Sequence, residues 1–167
     1  MKSLIIRRLL AFCIDYAIII AYALLLFGLS LGLNLNNEGL GPIIWQLIGF
    51  LSLTLPVFSY FFLMESSAIK ATFGKQLLGI RVGSKGEVGQ GNILIRNVLK
   101  FLPWELAHTG VHWVVYFSVV KQDPPIWVWF SLILPQVIVL GYVISMIFSK
   151  GERSFYDQLA STRISLK

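Results

Sequence analysis

Apolar residues in this chain run in long blocks, with little alternation between apolar and polar positions. A helix rises about 1.5 Å per residue and a bilayer core is about 30 Å thick, so one crossing takes about 20 apolar residues. Leu9–Leu33 meets that length with Asp15 as its only charge, and Ile43–Met64 and Ile126–Phe148 meet it with none. A fourth block, Phe101–Val120, is interrupted by Glu105, His108 and His112. Pro103 suits the first turn of a helix, where its missing N–H is not needed, so this span is expected to start there. The pattern predicts an all-α, multi-pass transmembrane bundle in a single domain covering 1–167. Its four spans are placed at 9–33, 43–64, 103–120 and 126–148, with a loop at 65–102 and a tail at 149–167.

The loop has a pattern of its own. Leu77–Val82 reads as a short strand, Ser84-Lys85-Gly86 as a turn and Val88–Gly91 as a weak return strand, together a small hairpin. Asn92 is placed to cap a helix over Ile93–Leu102, on which Arg96 and Lys100 share a face at i, i+4. A basic stripe on an apolar helix predicts a segment lying in the membrane interface, with both cations turned toward anionic lipid headgroups. Ser154 is expected to cap a short tail helix ending near Ser161.

Composition narrows the class further. Hydrophobic residues make up 56% of the chain and charged residues 13%, where soluble domains carry about 25% charged residues. Such a chain cannot coat a water-facing globule, and it is too apolar for disorder. The net charge of +6 is distributed in a telling way. Thirteen of the fourteen Lys and Arg residues fall before span one, between spans two and three, or after span four. Only Lys121 lies in the two remaining loops, Asn34–Pro42 and Lys121–Pro125. The positive-inside rule then predicts both termini in the cytoplasm and points the basic charge at lipid, with no nucleic-acid role. Trp45, Trp127 and Trp129 at one surface and Trp104 at the other fit interfacial anchoring, while Trp113 falls mid-span. The first apolar run is too long for a signal peptide and is read as a retained span.

Ionisable groups within a span are expensive, by about 2.5–3.5 kcal/mol each on insertion scales, and mark function by default. Asp15 lies seven residues past Arg8, about 10 Å deeper. It reads either as a proton- or cation-binding carboxylate or as a structural partner of Arg96, Lys75 or a histidine. Arg8 leans toward the N-terminus and away from Asp15, which makes Asp157 in the tail its more reachable partner. In span three, Glu105, His108, Thr109 and His112 fall within roughly a 100° arc. They form a polar face suited to a proton relay. The i, i+4 histidines offer a two-ligand metal start, but no third histidine or HExxH-type motif supports it, so neither a metal nor a cofactor is expected. Gly74-Lys75 lacks the spacing of a phosphate-binding loop, and Lys75 is expected to meet lipid phosphate, Glu65 or Asp157. Cys13, the only cysteine, sits in an apolar run that disfavours a thiolate, and no serine lies in an elbow motif, so no enzyme is expected.

Three stretches carry a family resemblance. Arg8-Leu9-Leu10-Ala11-Phe12-Cys13-Ile14-Asp15 resembles the opening of RDD-family membrane proteins, named for one arginine and two aspartates. Ala71 to Val82, with Thr72, Gly74, Lys75 and Gly79, resembles that family's loop motif. Ser154-Phe155-Tyr156-Asp157-Gln158-Leu159-Ala160-Ser161-Thr162 resembles its tail, although Arg163 follows where an apolar residue is usual. The resemblance implies Arg8, Asp15 and Asp157 as signature residues in a multi-pass protein of a bacterial inner membrane. It also raises the prior for transport, which has been proposed for the family. The expected function is movement of a small solute or ion, with Asp15, Glu105, His108 and His112 as the pathway, in a homo-oligomer. The alternative is a membrane adaptor that binds other membrane proteins through its basic loop and tail, and a lipid-acting enzyme ranks third.

Overall fold

The computed structural model describes residues 3–33, 41–84 and 88–167. Most of the Asn34–Pro42 loop and the Lys85-Gly86 part of the expected turn lie outside the described residues. Helix α1 (Leu4–Gly32) starts at Ser3, whose hydroxyl accepts the Ile6 N–H at 3.4 Å. Helix α2 (Pro42–Gly49) runs through one π turn (Phe50–Thr54) into α3 (Leu55–Ser66), making one rod. A short helix α4 (Phe73–Leu77) and strand β1 (Ile80–Gly83) follow. Then come α5 (Gln90–Val119), α6 (Ile126–Phe148), a one-turn α7 (Phe155–Leu159) and strand β2 (Arg163–Leu166).

Two prolines explain how the long helices are joined. A proline has no N–H for the carbonyl four residues before it, and in apolar surroundings that carbonyl needs another donor. Pro56 leaves Ser52 O without its usual partner, and the Tyr22 hydroxyl on α1 donates to it at 2.8 Å. Pro103 leaves Leu99 O, which accepts from the Tyr142 hydroxyl on α6 at 2.7 Å. Each defect in one helix thereby anchors a neighbour. Helices α5 and α6 pack most closely, and a Cβ on Gly110 would lie 2.7 Å from Ser131 Oγ and Leu132.

Four sequence expectations are corrected here. Pro103 is interior to α5, not at its start, so the expected interfacial helix and span three are one 30-residue helix. Its N-cap is Gly89, and Asn92 instead donates its amide to Ala160 O at 3.0 Å. The return strand at Val88–Gly91 does not form. The expected Leu77–Val82 strand is shorter, since Leu77 closes α4, and β1 pairs antiparallel with the tail strand β2, Ile80 opposite Leu166 and Gly83 opposite Arg163, adding one small sheet to the helical fold. Ile80, Val82 and Ile164 point into a compact core with Ala11 of α1 and Ile93 of α5. Loop and tail thus fold together as a cap beneath α1. Gly151, at φ +90°, turns the tail so tightly against α1 that a Cβ there would sit 2.7 Å from Ile5 N.

The long helices are inside-out. In α1 the only buried residues are Arg8, Ala11 and Asp15, while Leu24, Phe27 and Leu31 are more than half exposed. Three helical rods among the described residues, Leu4–Gly32, Pro42–Ser66 and Ile126–Phe148, are long and apolar enough to cross a bilayer. Helix α5 matches them in length but carries the polar face. Polar groups inside and apolar groups outside is the arrangement that hydrocarbon surroundings select.

Candidate functional site

Two polar assemblies occupy the interior. The first is a chain of alternating charges at the cap. Arg8 donates from Nη2 to Asp157 Oδ2 at 2.8 Å and to the Tyr156 hydroxyl at 3.1 Å, and from Nη1 to Gly151 O at 3.0 Å. Arg96 Nε donates to Asp157 Oδ1 at 2.7 Å, and its Nη1 to Glu65 Oε2. Lys75 Nζ reaches Glu65 Oε1, and Asn97 Nδ2 donates to Glu65 Oε2 at 3.1 Å. The order Lys75, Glu65, Arg96, Asp157, Arg8 joins α4, α3, α5, α7 and α1 through four ion pairs.

Each charge here is compensated, which is the condition for burying it. Asp157 also accepts the Ser154 N–H at 2.9 Å and the Thr162 hydroxyl at 3.2 Å. Burial alone would raise its carboxyl pKa, but Arg96, then Arg8, outweigh that and hold it down at about 2. For Lys75, burial draws the ammonium pKa down and Glu65 partly offsets it. The expected Arg8–Asp157 pairing is present, and Lys75 meets Glu65 from among its expected partners. Arg96, expected to face lipid, is instead 1% exposed and paired with two carboxylates. Lys100 also turns inward, its Nζ lying 3.4 Å from the centre of the Phe61 ring.

Asp15 has a different environment. Its Oδ1 accepts from the Tyr60 hydroxyl at 3.0 Å and the Gly74 N–H at 2.9 Å, and its Oδ2 from the Thr72 hydroxyl at 2.6 Å. Tyr60 in turn accepts the Phe73 N–H at 3.0 Å. All three donors are neutral, so Asp15 is held by hydrogen bonds to the loop motif, not by an ion pair. Thr72 and Gly74 supply two of those donors, Lys75 the adjacent cation, and Gly79, at φ +64°, the turn from α4 into β1. Asp15 shares no hydrogen bond or ion pair with Glu105, His108 or His112.

Those three form the second assembly, on the α5 face toward the α2–π–α3 rod. Thr54, at the end of the π turn, donates to Glu105 Oε2 at 2.9 Å. Thr109 donates to Glu105 O at 3.0 Å and accepts from Gln46 Nε2 at 2.7 Å. The His108 ring lies edge-on to Trp104 at 4.6 Å and 6.4 Å from the His112 ring. Gly49 makes room for His112, since a Cβ there would stand 3.2 Å from Nε2. Glu105 has no cation within ion-pair distance among the described residues, and π turns often mark functional sites. At 1.5 Å per residue this face begins about 13 Å beyond Arg96 and ends about 24 Å beyond it. Among the described residues, no group of three or more His, Cys, Asp or Glu side chains is placed to hold a metal ion.

Sequence reading named Glu65 only as a possible partner of Lys75 and missed Asn97, Tyr60 and Thr54 as site residues. The available signal for Glu65 was its position as the single acid at the end of an uncharged apolar run.

Comparison with the curated proteins and with the solved structures gave no significant match. The RDD family model matches residues 3–161, a stretch that contains Arg8, Asp15 and Asp157, the ion-pair chain of the cap and, among the described residues, every long apolar helix. The chain is an integral membrane protein belonging to the RDD family.

Proposed function

We propose that this protein moves protons, coupled to a small cation or solute, along the polar face of α5. The observation that carries this reading is Glu105, an intramembrane carboxylate hydrogen-bonded to Thr54 and without a counter-cation among the described residues. Uncompensated charge is too expensive in a span to persist without use, and a carboxylate followed by two imidazoles one turn apart is a route for protons. Asp15 and the charged cap have the opposite character: their bonds are satisfied, and they hold α1 and the loop motif in place. Four helices leave little room for alternating access, so the transporting unit is a homo-oligomer. In proteoliposomes carrying a pH-sensitive dye, Glu105→Gln should abolish cation-driven proton flux while melting close to wild type, because glutamine can still accept from Thr54. Asp15→Asn should instead lower the melting temperature. Unaltered flux in Glu105→Gln would rule the pathway out.

The same reading makes α5 a fourth span and puts both termini on the cytoplasmic side of a bacterial inner membrane. It is supported by the thirteen-to-one placement of basic residues and by the cap, which brings loop and tail to one end. Fusion reporters at Gln122 should read outside and those at Lys167 inside. A Lys167 reporter reading outside would leave three spans.

A further inference from the structure

A cavity of about 400 Å³ lies between α1, α3, α5 and α6 with the cap as its floor. Its size falls within the range of small-molecule sites, about 300–1,000 Å³. The walls are mostly apolar; the charged lining, Arg8 and Lys100, gathers at the cap end with Ser154 and Tyr156, while Tyr16 and Gln136 lie farther along the walls. The rims are exposed: Leu9 and Phe12 on α1, Val139 and Val143 on α6. Helix α1 packs chiefly on α4 and scarcely approaches α6, so the mouth opens sideways, where acyl chains lie.

Lys100 and the Trp104 indole in this cavity have no hydrogen-bond partner among the described residues. Arg8 is fully engaged by Asp157, Tyr156 and Gly151. Lys100 is not: it rests on the Phe61 ring and has no carboxylate within ion-pair distance among the described residues. The Trp104 indole N–H is buried without an acceptor among the described residues. A half-buried cation and a buried donor beside an apolar slot call for an anion attached to a hydrocarbon chain.

We propose that this cavity binds one acidic phospholipid, with an acyl chain between α1 and α6 and the phosphodiester at Lys100 and Trp104. Lysine suits this role because its flexible stem lies along apolar surface while its head turns to the phosphate.

Native mass spectrometry of the purified protein, released from micelles doped with phosphatidylglycerol or phosphatidylcholine, tests the assignment. Wild type should retain one phosphatidylglycerol, preferred about fivefold over phosphatidylcholine, the discrimination one lysine provides in favour of acidic lipid. Lys100→Gln should erase the preference and Lys100→Arg should keep it. Val143→Trp, at the exposed rim, should block retention of both lipids. Equal retention of the two lipids by wild type, or an undiminished preference in Lys100→Gln, overturns the proposal. So does displacement of the lipid by inorganic phosphate at matching concentration, because the chain would then contribute nothing. Should Lys100→Gln prove too unstable to purify, Val143→Trp decides: undiminished retention there also overturns it.

Discussion

Arg96→Ala should unfold at markedly milder conditions than wild type, by about 3–5 kcal/mol, the usual penalty for removing one partner of a buried ion pair. The guanidinium is the centre of the cap. It donates to Glu65 on α3 and to Asp157 on α7 from a position 1% exposed. Without it, Lys75 alone faces Glu65 and Arg8 alone faces Asp157, and α3, α5 and the tail lose their common tie. Arg96→Lys should recover only part of the loss, since an ammonium keeps the charge but lacks the planar fork that reaches both carboxylates. Thermal or detergent unfolding of the three proteins checks this. If Arg96 faced lipid, the alanine substitution would shift stability by only a few tenths of a kcal/mol, as surface changes do, and Arg96→Lys would melt with wild type.

Arg96 also shows where sequence reading ends. Two basic residues at i, i+4 on an apolar helix form the same pattern whether they face headgroups or buried carboxylates. The pattern records what one helix presents and nothing of what stands opposite. Glu65 lies 31 residues away and Asp157 61 residues away, distances at which local periodicity carries no information. The same limit explains the strand. Only the Ile80–Val82 half of the Leu77–Val82 reading is strand, and its partner is the tail at Arg163–Leu166, where a nearby glycine-rich segment is the better local candidate for a hairpin.

Other features were legible because the physics is local. The apolar runs gave α1, the α2–π–α3 rod and α6 to within a few residues, except that α1 begins five residues earlier. The backward lean of a helical side chain gave Arg8 to Asp157. Asp15 was legible as important by its cost, but not as a docking point, because its partners are hydroxyls and a backbone N–H with no charge signature. Pro103 was read as a helix start, since a proline supplies one in isolation. Its tolerance within α5 depends on the Tyr142 hydroxyl from another helix.

Gly74→Ala should be among the most damaging conservative changes in the chain. A Cβ at this position would stand 2.3 Å from Ala11 O and 3.0 Å from the Asp15 carboxylate. The first contact is with helix backbone, which cannot swing aside like the end of a side chain, so α4 must withdraw from α1. Overpacking of this kind costs about 1–3 kcal/mol. Withdrawal also breaks the Gly74 N–H bond to Asp15 at 2.9 Å and the Thr72 bond at 2.6 Å, leaving a buried carboxylate short of donors at about 1–3 kcal/mol more. Lys75, on the same short helix, would be drawn from Glu65. Gly141→Ala is the control, because nothing lies within 4 Å of a Cβ there and alanine is the better helix former. Melting of the purified variants should show a large loss for Gly74→Ala and none for Gly141→Ala. Equal melting temperatures would mean that α4 does not dock on α1, and the account of Asp15 as the anchor of the loop motif would fall with it.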